Sequence, residues 1–197
     1  MKTIQIILPI LFALNVNAQN DTTVLDSKNY LSIELDPAPF LLGGYSVSLK
    51  WSPEHANHFS VMGSLFSSKF PDKMMSKTNY NNGFRDLTIK NSYAFFVDYF
   101  LKDDRTGLHF GPSAFLYSRS VGLPDNIERT NFKSIYPNLR VGYVYKPFKR
   151  SGFYLNPWLN FGKEIVLTNN DFLNRVEYSI TDFSYILAVH LGYKVSF

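Results

Sequence analysis

Hydrophobic and polar residues alternate with period two along most of the chain, the mark of strands whose two faces meet unlike surroundings. The last segment is the clearest. Tyr185, Leu187, Val189, Leu191, Tyr193, Val195 and Phe197 share one face, and Ile186, Ala188, His190, Gly192, Lys194 and Ser196 share the other. The same pattern predicts strands over 31–35, 45–51, 59–65, 93–101, 108–116, 135–145 and 153–161, which makes eight in all. No segment keeps a 3.6-residue period over two turns, so the expected fold class is all-β.

The links between these strands alternate in length. Positions 52–57, 103–107 and 147–152 are short and rich in Pro, Asp, Asn and Gly, as tight turns are. Positions 67–91, 119–132 and 164–184 are long, and 37–43 is shorter but holds Pro37, Pro39 and Gly43. An even number of strands, with short turns at one end and long loops at the other, is the plan of an antiparallel up-and-down transmembrane β-barrel. The strand lengths also suit a tilted crossing of a bilayer, which takes about 9–11 residues.

Period two does not say which face points inward, since a soluble carrier of lipocalin type has its apolar face inside. Aromatics decide in favour of the membrane. Trp51, Phe59, Tyr99, Phe110, Tyr145, Phe153 and Tyr193 mark the short-turn ends of the apolar faces, and Tyr45, Tyr93, Phe161 and Tyr185 the long-loop ends. Such rings collect at the two water–lipid interfaces. The opposite faces mix Asp98, His109, Arg140, Asn156, Asn160 and His190 with Gly111, Gly142, Gly162, Gly192 and Ala188, as a narrow, filled lumen requires. Pro112, Pro137 and Pro157 interrupt three neighbouring strands, where each removes a ladder donor. Bulges, or strand limits displaced by a residue or two, are expected there.

Composition sharpens this picture at three points. Mean hydropathy is near zero, at −0.12, because apolar and polar positions interleave and cancel. The absence of cysteine excludes a disulfide scaffold, a Cys-ligated zinc site, a thiol nucleophile and a lipid-anchoring cysteine. Lys2, the apolar run 4–14 and the small residues Val16 and Ala18 around Asn17 predict a signal peptide over 1–18, leaving 19–197 as the barrel domain. The net charge of +4 is not read as a nucleic-acid signal, because an exported barrel would not meet one.

The terminal run from Tyr185 to Phe197 resembles the C-terminal signature of Gram-negative outer-membrane β-barrels. The chain as a whole is similar to the small eight-stranded members of that group. Gly44-Tyr45-Ser46, Asn156-Pro157-Trp158 and the Val-x-Ala-Gln junction at 16–19 are similar to uncharacterised members from Bacteroidota-like bacteria. The resemblance implies residence in the outer membrane, contact with its lipids and lipopolysaccharide, and insertion by the barrel-assembly machinery, which would recognise Tyr193 and Phe197. It is nearly silent on activity, because one fold hosts many functions.

Candidate chemistry lies on the inward face. Glu34, Lys50, Asp98, Lys102, Arg140 and Lys194 are expected there, and buried charges persist only when paired, Asp98 with Arg140 for example. The plain reading is a salt-bridge network that fills a closed lumen, since eight strands leave about enough room for side chains alone. The sharper reading is acyl-transfer chemistry on a lipid, with His190 or His109 as base, Ser113 or Ser64 as nucleophile and Glu34 as orienter. The spacing matches no known motif. Outside, Lys69, Lys73, Lys77, Arg85 and Lys90 make the longest loop basic, with Phe70, Met74, Met75, Tyr80 and Phe84 between them. That loop suits lipopolysaccharide phosphates or a partner surface, or is simply solvated. No cofactor is expected, and no His spacing of metal-site type occurs. The leading expectation is a non-enzymatic outer-membrane barrel with a structural or surface-interaction role. The alternatives are a lipid A-modifying acyl hydrolase or transferase and a soluble periplasmic lipocalin-like carrier.

Overall fold

The alternating segments form strands, and each long strand pairs with the two that flank it. The computed structural model describes residues 28–122, 129–148, 150–168, 178–179 and 183–197, so the predicted leader lies outside the described residues. The strands are β1 (Tyr30–Leu35), β2 (Tyr45–Ser52), β3 (Phe59–Lys69), β4 (Arg85–Phe100), β5 (Gly107–Gly122), β6 (Arg129–Val144), β7 (Phe153–Gly162), β8 (Ile165–Val166) and β9 (Ser184–Ser196). Two one-turn helices, α1 (Pro37–Leu41) and α2 (Lys77–Asn81), lie in the long links. All strand pairs are antiparallel, and β9 closes the sheet by pairing with β1 from Tyr30↔Ser196 to Leu35↔Leu191. The two-residue β8 continues the β7 ladder on β6 in the same register. The result is a closed barrel of eight long strands, so no long edge is left to pair with another chain.

The wall has its apolar side out. Leu, Ile, Val, Phe and Tyr at alternate positions of every long strand face outward, with Ile33 51% and Leu139 55% exposed. Glu34, Asp98, His109, Arg140, Asn156 and Asn160 are buried inside at 1% exposure or less. A soluble lipocalin-like carrier needs the two faces exchanged, an apolar lining and a polar exterior. The expected alternative of that type is therefore corrected by the direction of the side chains.

Strand lengths are uneven, which corrects the expected long loops. β4, β5 and β6 have 16 residues each, against 6 in β1 and 8 in β2. Much of 85–91, 119–122 and 129–132 is strand rather than loop, and Lys90 lies in β4. A tilted crossing would take about 9–11 residues, which β4–β6 exceed by several at the long-loop end. The alternation of apolar with polar weakens there because exposed positions such as Arg129, Asn131 and Lys133 are polar.

The three prolines cause no bulge. The β5–β6 register runs unbroken from Gly107↔Val144 to Gly122↔Arg129, through Pro112 and Pro137. The β7–β9 register does the same from Phe153↔Tyr193 to Gly162↔Ser184, through Pro157. Each proline instead sits beside a gap in its other ladder. The β4–β5 pairs skip from Phe96↔Ser113 to Tyr99↔Phe110. The β6 ladder skips from Asn138↔Gly162 to Ile135↔Ile165, and from Gly142↔Trp158 to Tyr145↔Leu155. Register is equal on both sides of each gap, so the missing donor costs local pairs and leaves the strand offset unchanged. The true register shifts fall at Phe66/Ser68, Arg85/Thr88 and Ile89/Tyr93, at the long-loop end.

Candidate functional site

The lumen is filled in layers, and its lower half is one polar network centred on Glu34. This side chain points in from β1 and receives partners from three other strands. Lys50 on β2 makes an ion pair with it. Tyr154 donates its hydroxyl to Oε1 at 2.7 Å, and His190 Nδ1 lies 2.8 Å from Oε2. Asn156 Nδ2 donates to both oxygens, at 3.3 and 3.4 Å. Its Oδ1 in turn lies 2.9 Å from His109 Nε2. His109 Nδ1 lies 3.4 Å from Asp98 Oδ1, and Arg140 Nη2 donates to Asp98 Oδ2 at 3.1 Å. Polar approaches therefore lead from β2 through β1, β7, β5 and β4 to β6, with the His109–Asp98 step a 3.4 Å approach and not a hydrogen bond.

Two glycines make room for this network. A Cβ at Gly142 would run into the His109 ring, and one at Gly192 into the Tyr154 ring. The balance is even: two acidic side chains, Glu34 and Asp98, face two basic ones, Lys50 and Arg140. Unpaired, any of these would cost several kcal/mol. Above the acids, Arg140 lies 4.5 Å from the Phe96 ring centre and 5.3 Å from that of Trp158.

The upper half of the lumen is aromatic. Phe96, Phe115, Tyr117, Tyr136 and Trp158 are buried together with Met62, Ile89 and Ala94. Edge-to-face contacts join Phe96 to Phe115 at 5.4 Å and Phe66 to Phe115 at 5.8 Å. This plug fills the lumen above the network. Outside the plug, Met75, Phe84, Val121 and Phe132 form a second small core. Tyr178 packs edge-on against Phe84 at 5.0 Å, and burial raises its hydroxyl above the ordinary tyrosine value. Asn79 in α2 clasps Ser179 by two hydrogen bonds, of 2.9 and 2.7 Å, across 100 positions of sequence. Arg119 and Glu164 form an ion pair beside them, and Ser134 donates to the same carboxylate.

The candidate residues thus separate. Glu34, Lys50, Asp98 and Arg140 meet in the network, whereas Lys194 lies lower, at the short-turn mouth, with its Nζ 4.4 Å from the Tyr30 ring centre. Lys102, expected inward, is exposed in the β4–β5 turn because the strand ends at Phe100. His190 and His109 are both drawn into the network. Ser113 donates instead to Asn138, and Ser48 donates to Ser64 at 2.9 Å. Among the described residues, no serine is hydrogen-bonded to either histidine, so the parts of an acyl-transfer triad are not assembled. Tyr193 on β9 and Phe197 just past its end are exposed, and Phe197 N donates to Asn29 O at 3.1 Å. Lys69, Lys73, Lys77 and Lys90 are exposed, and Lys90 donates to Asn131 Oδ1 at 2.7 Å. Arg85 lies 3.9 Å from the Tyr80 ring centre and donates to Tyr80 O and Phe84 O.

Tyr154, Arg105 and the aromatic plug are missing from the sequence reading. The signal was present as rings on the inward parity: Phe96, Tyr136 and Trp158 have polar or small neighbours two positions away on both sides, and Phe115 and Tyr117 are flanked by Ser113 and Arg119. What this geometry defines is a closed eight-stranded antiparallel barrel, apolar outside, ionic and aromatic inside. No family model matches the chain, and no curated protein matches it. Two solved structures are similar to it. A major outer membrane protein from Thermus thermophilus has 10% identity and a TM-score of 0.47, with 85% of this chain and 99% of that chain covered. CarO from Acinetobacter baumannii has 12% identity and a TM-score of 0.39, with 85% and 96% covered. At those values neither likeness carries an argument about this chain.

Proposed function

We propose that the chain is an integral outer-membrane β-barrel with a closed lumen, serving a structural or surface-interaction role through its exterior end. One observation carries this reading: a continuous outward belt of exposed Leu, Ile, Val, Phe and Tyr around a buried polar interior. In water such a belt would be a large aggregation surface, whereas in a bilayer it is the required one. The filled lumen argues against a pore. The exterior end, with Phe84, Val121, Phe132 and Tyr178 packed beneath exposed Lys73 and Lys77, offers an ordered basic platform toward lipopolysaccharide or a partner. Residues 1–18 act as the export signal in this reading, and the barrel-assembly machinery inserts the remainder, 19–197.

The protein is expected to be recovered only with detergent, and to migrate differently on a gel before and after heating. Recovery as a soluble protein would overturn the reading. Deleting Phe197 is expected to lower the yield of inserted barrel severalfold, because its side chain adds nothing to the lumen and is 72% exposed. A second reading, a lipid A-modifying acyl hydrolase or transferase, is favoured by one contact, the His190–Glu34 pair. It predicts a changed lipid A mass profile in His190→Ala cells, with His109→Ala as companion. An unchanged profile in those cells and in a deletion strain would remove it.

A further inference from the structure

The short-turn mouth holds cations that the lumen network leaves unused. Arg105, Lys146 and Lys194 line a cavity of about 20 Å3 together with Ser32, Ser52 and Tyr154, while Lys50, already paired with Glu34, closes one side. Arg105 stands in the turn after β4 with a left-handed backbone, φ 55°, which turns its side chain under the barrel. It donates to Pro53 O and to Ala56 O, yet its buried Nε has no hydrogen-bond partner. Lys146 and Lys194 both face this cavity, and Lys194 Nζ also lies 4.4 Å from the Tyr30 ring centre. Among the described residues, no carboxylate forms an ion pair with any of these three. Asp104 is close enough to act on Lys194, but its oxygens accept from Thr106 N and Thr106 Oγ1. Basic groups lining one small cavity repel when charged, and a counter-charge between them relieves that repulsion.

We propose that this mouth binds a phosphate-class oxyanion between Lys146 Nζ and Lys194 Nζ, facing Arg105 Nε. A cavity of that size holds about one water-sized group. One oxygen therefore enters it, beside the Ser32 and Ser52 hydroxyls, and the rest of the anion remains in the open mouth. Both free phosphate and a phospholipid headgroup carry this chemistry. The inference goes beyond the role proposed above, and it stands whichever compartment the short turns face.

The test is calorimetric titration of inorganic phosphate into the folded full chain in zwitterionic detergent at low salt. Saturable one-to-one binding is expected, weakened at least tenfold in Lys146→Gln and in Lys194→Gln and unchanged in the exterior variant Lys73→Gln. Heat-dependent gel migration checks that each variant is folded; if one is not, the other decides. Repeating the titration in phosphatidylcholine nanodiscs, with and without phosphatidylglycerol, separates the sources. Competition by the anionic lipid assigns the site to a headgroup, and no competition assigns it to the free anion. No saturable binding to the folded protein, or binding by the folded glutamine variants as tight as by the unsubstituted chain, would overturn the proposal.

Discussion

The two halves of the lumen solve one problem by different means. Eight strands enclose a narrow space that side chains must fill. Near the short turns it is filled by Lys50, His190 and Asn156 gathered on Glu34, and by His109, Asp98 and Arg140 beyond Asn156. Near the long loops it is filled by Phe96, Phe115, Tyr117, Tyr136 and Trp158, which hold one another by area and ring geometry. The ionic half is intolerant of losing one member, because every charge depends on its neighbour. The aromatic half degrades more evenly, because a missing ring leaves a void that others partly close. Arg140 joins the two, paired with Asp98 below and lying against Phe96 and Trp158 above.

That contrast can be broken or sharpened by substitution. Glu34→Ala is expected to be the most damaging, by about 4 kcal/mol, since it strands Lys50 in a buried site. Urea unfolding in lipid, followed by Trp fluorescence, checks this. A Glu34→Gln/Lys50→Met pair should restore much of the loss, whereas additive losses would refute the idea that one half works as linked pairs. Phe115→Ala is expected to cost about 3 kcal/mol by the same assay, and to do so with no dependence on the state of Glu34. The smallest effect belongs to the exterior. Asn79→Ala removes both bonds to Ser179 and is expected to cost about 1–2 kcal/mol locally. It should appear as faster proteolysis of the exterior links with the barrel transition unmoved. A fall in the barrel transition itself would show that cap and barrel unfold as one unit.

Much of this was legible in the sequence, and what was not had physical causes. Period two gave all eight long strands, and the depth of Trp51, Phe59 and Tyr193 gave the outward face. Asp98 and Arg140 could be paired because both lie on the inward parity. The extra length of β4–β6 was hidden, because exposed positions at the long-loop end turn polar and the alternation fades. The prolines suggested bulges, but a strand bonded on its other side keeps its register when one ladder drops a pair. Arg105 was hidden for another reason: a turn residue reaches the lumen only through a left-handed backbone that spacing does not reveal. The serine–histidine idea rested on shared parity alone. Parity fixes a face and not a contact, and Ser113 turned to Asn138 instead.

The central claim is that the apolar belt faces lipid, and Val189 tests it most directly. It lies outward on β9, midway between Tyr185 and Tyr193, with Pro157 as its cross-strand partner. Unfolding of Val189→Arg in bilayers is expected to show a loss of about 2–4 kcal/mol, the charge being held near the midplane. An unchanged unfolding free energy, in a variant that stays folded without detergent, would contradict the account.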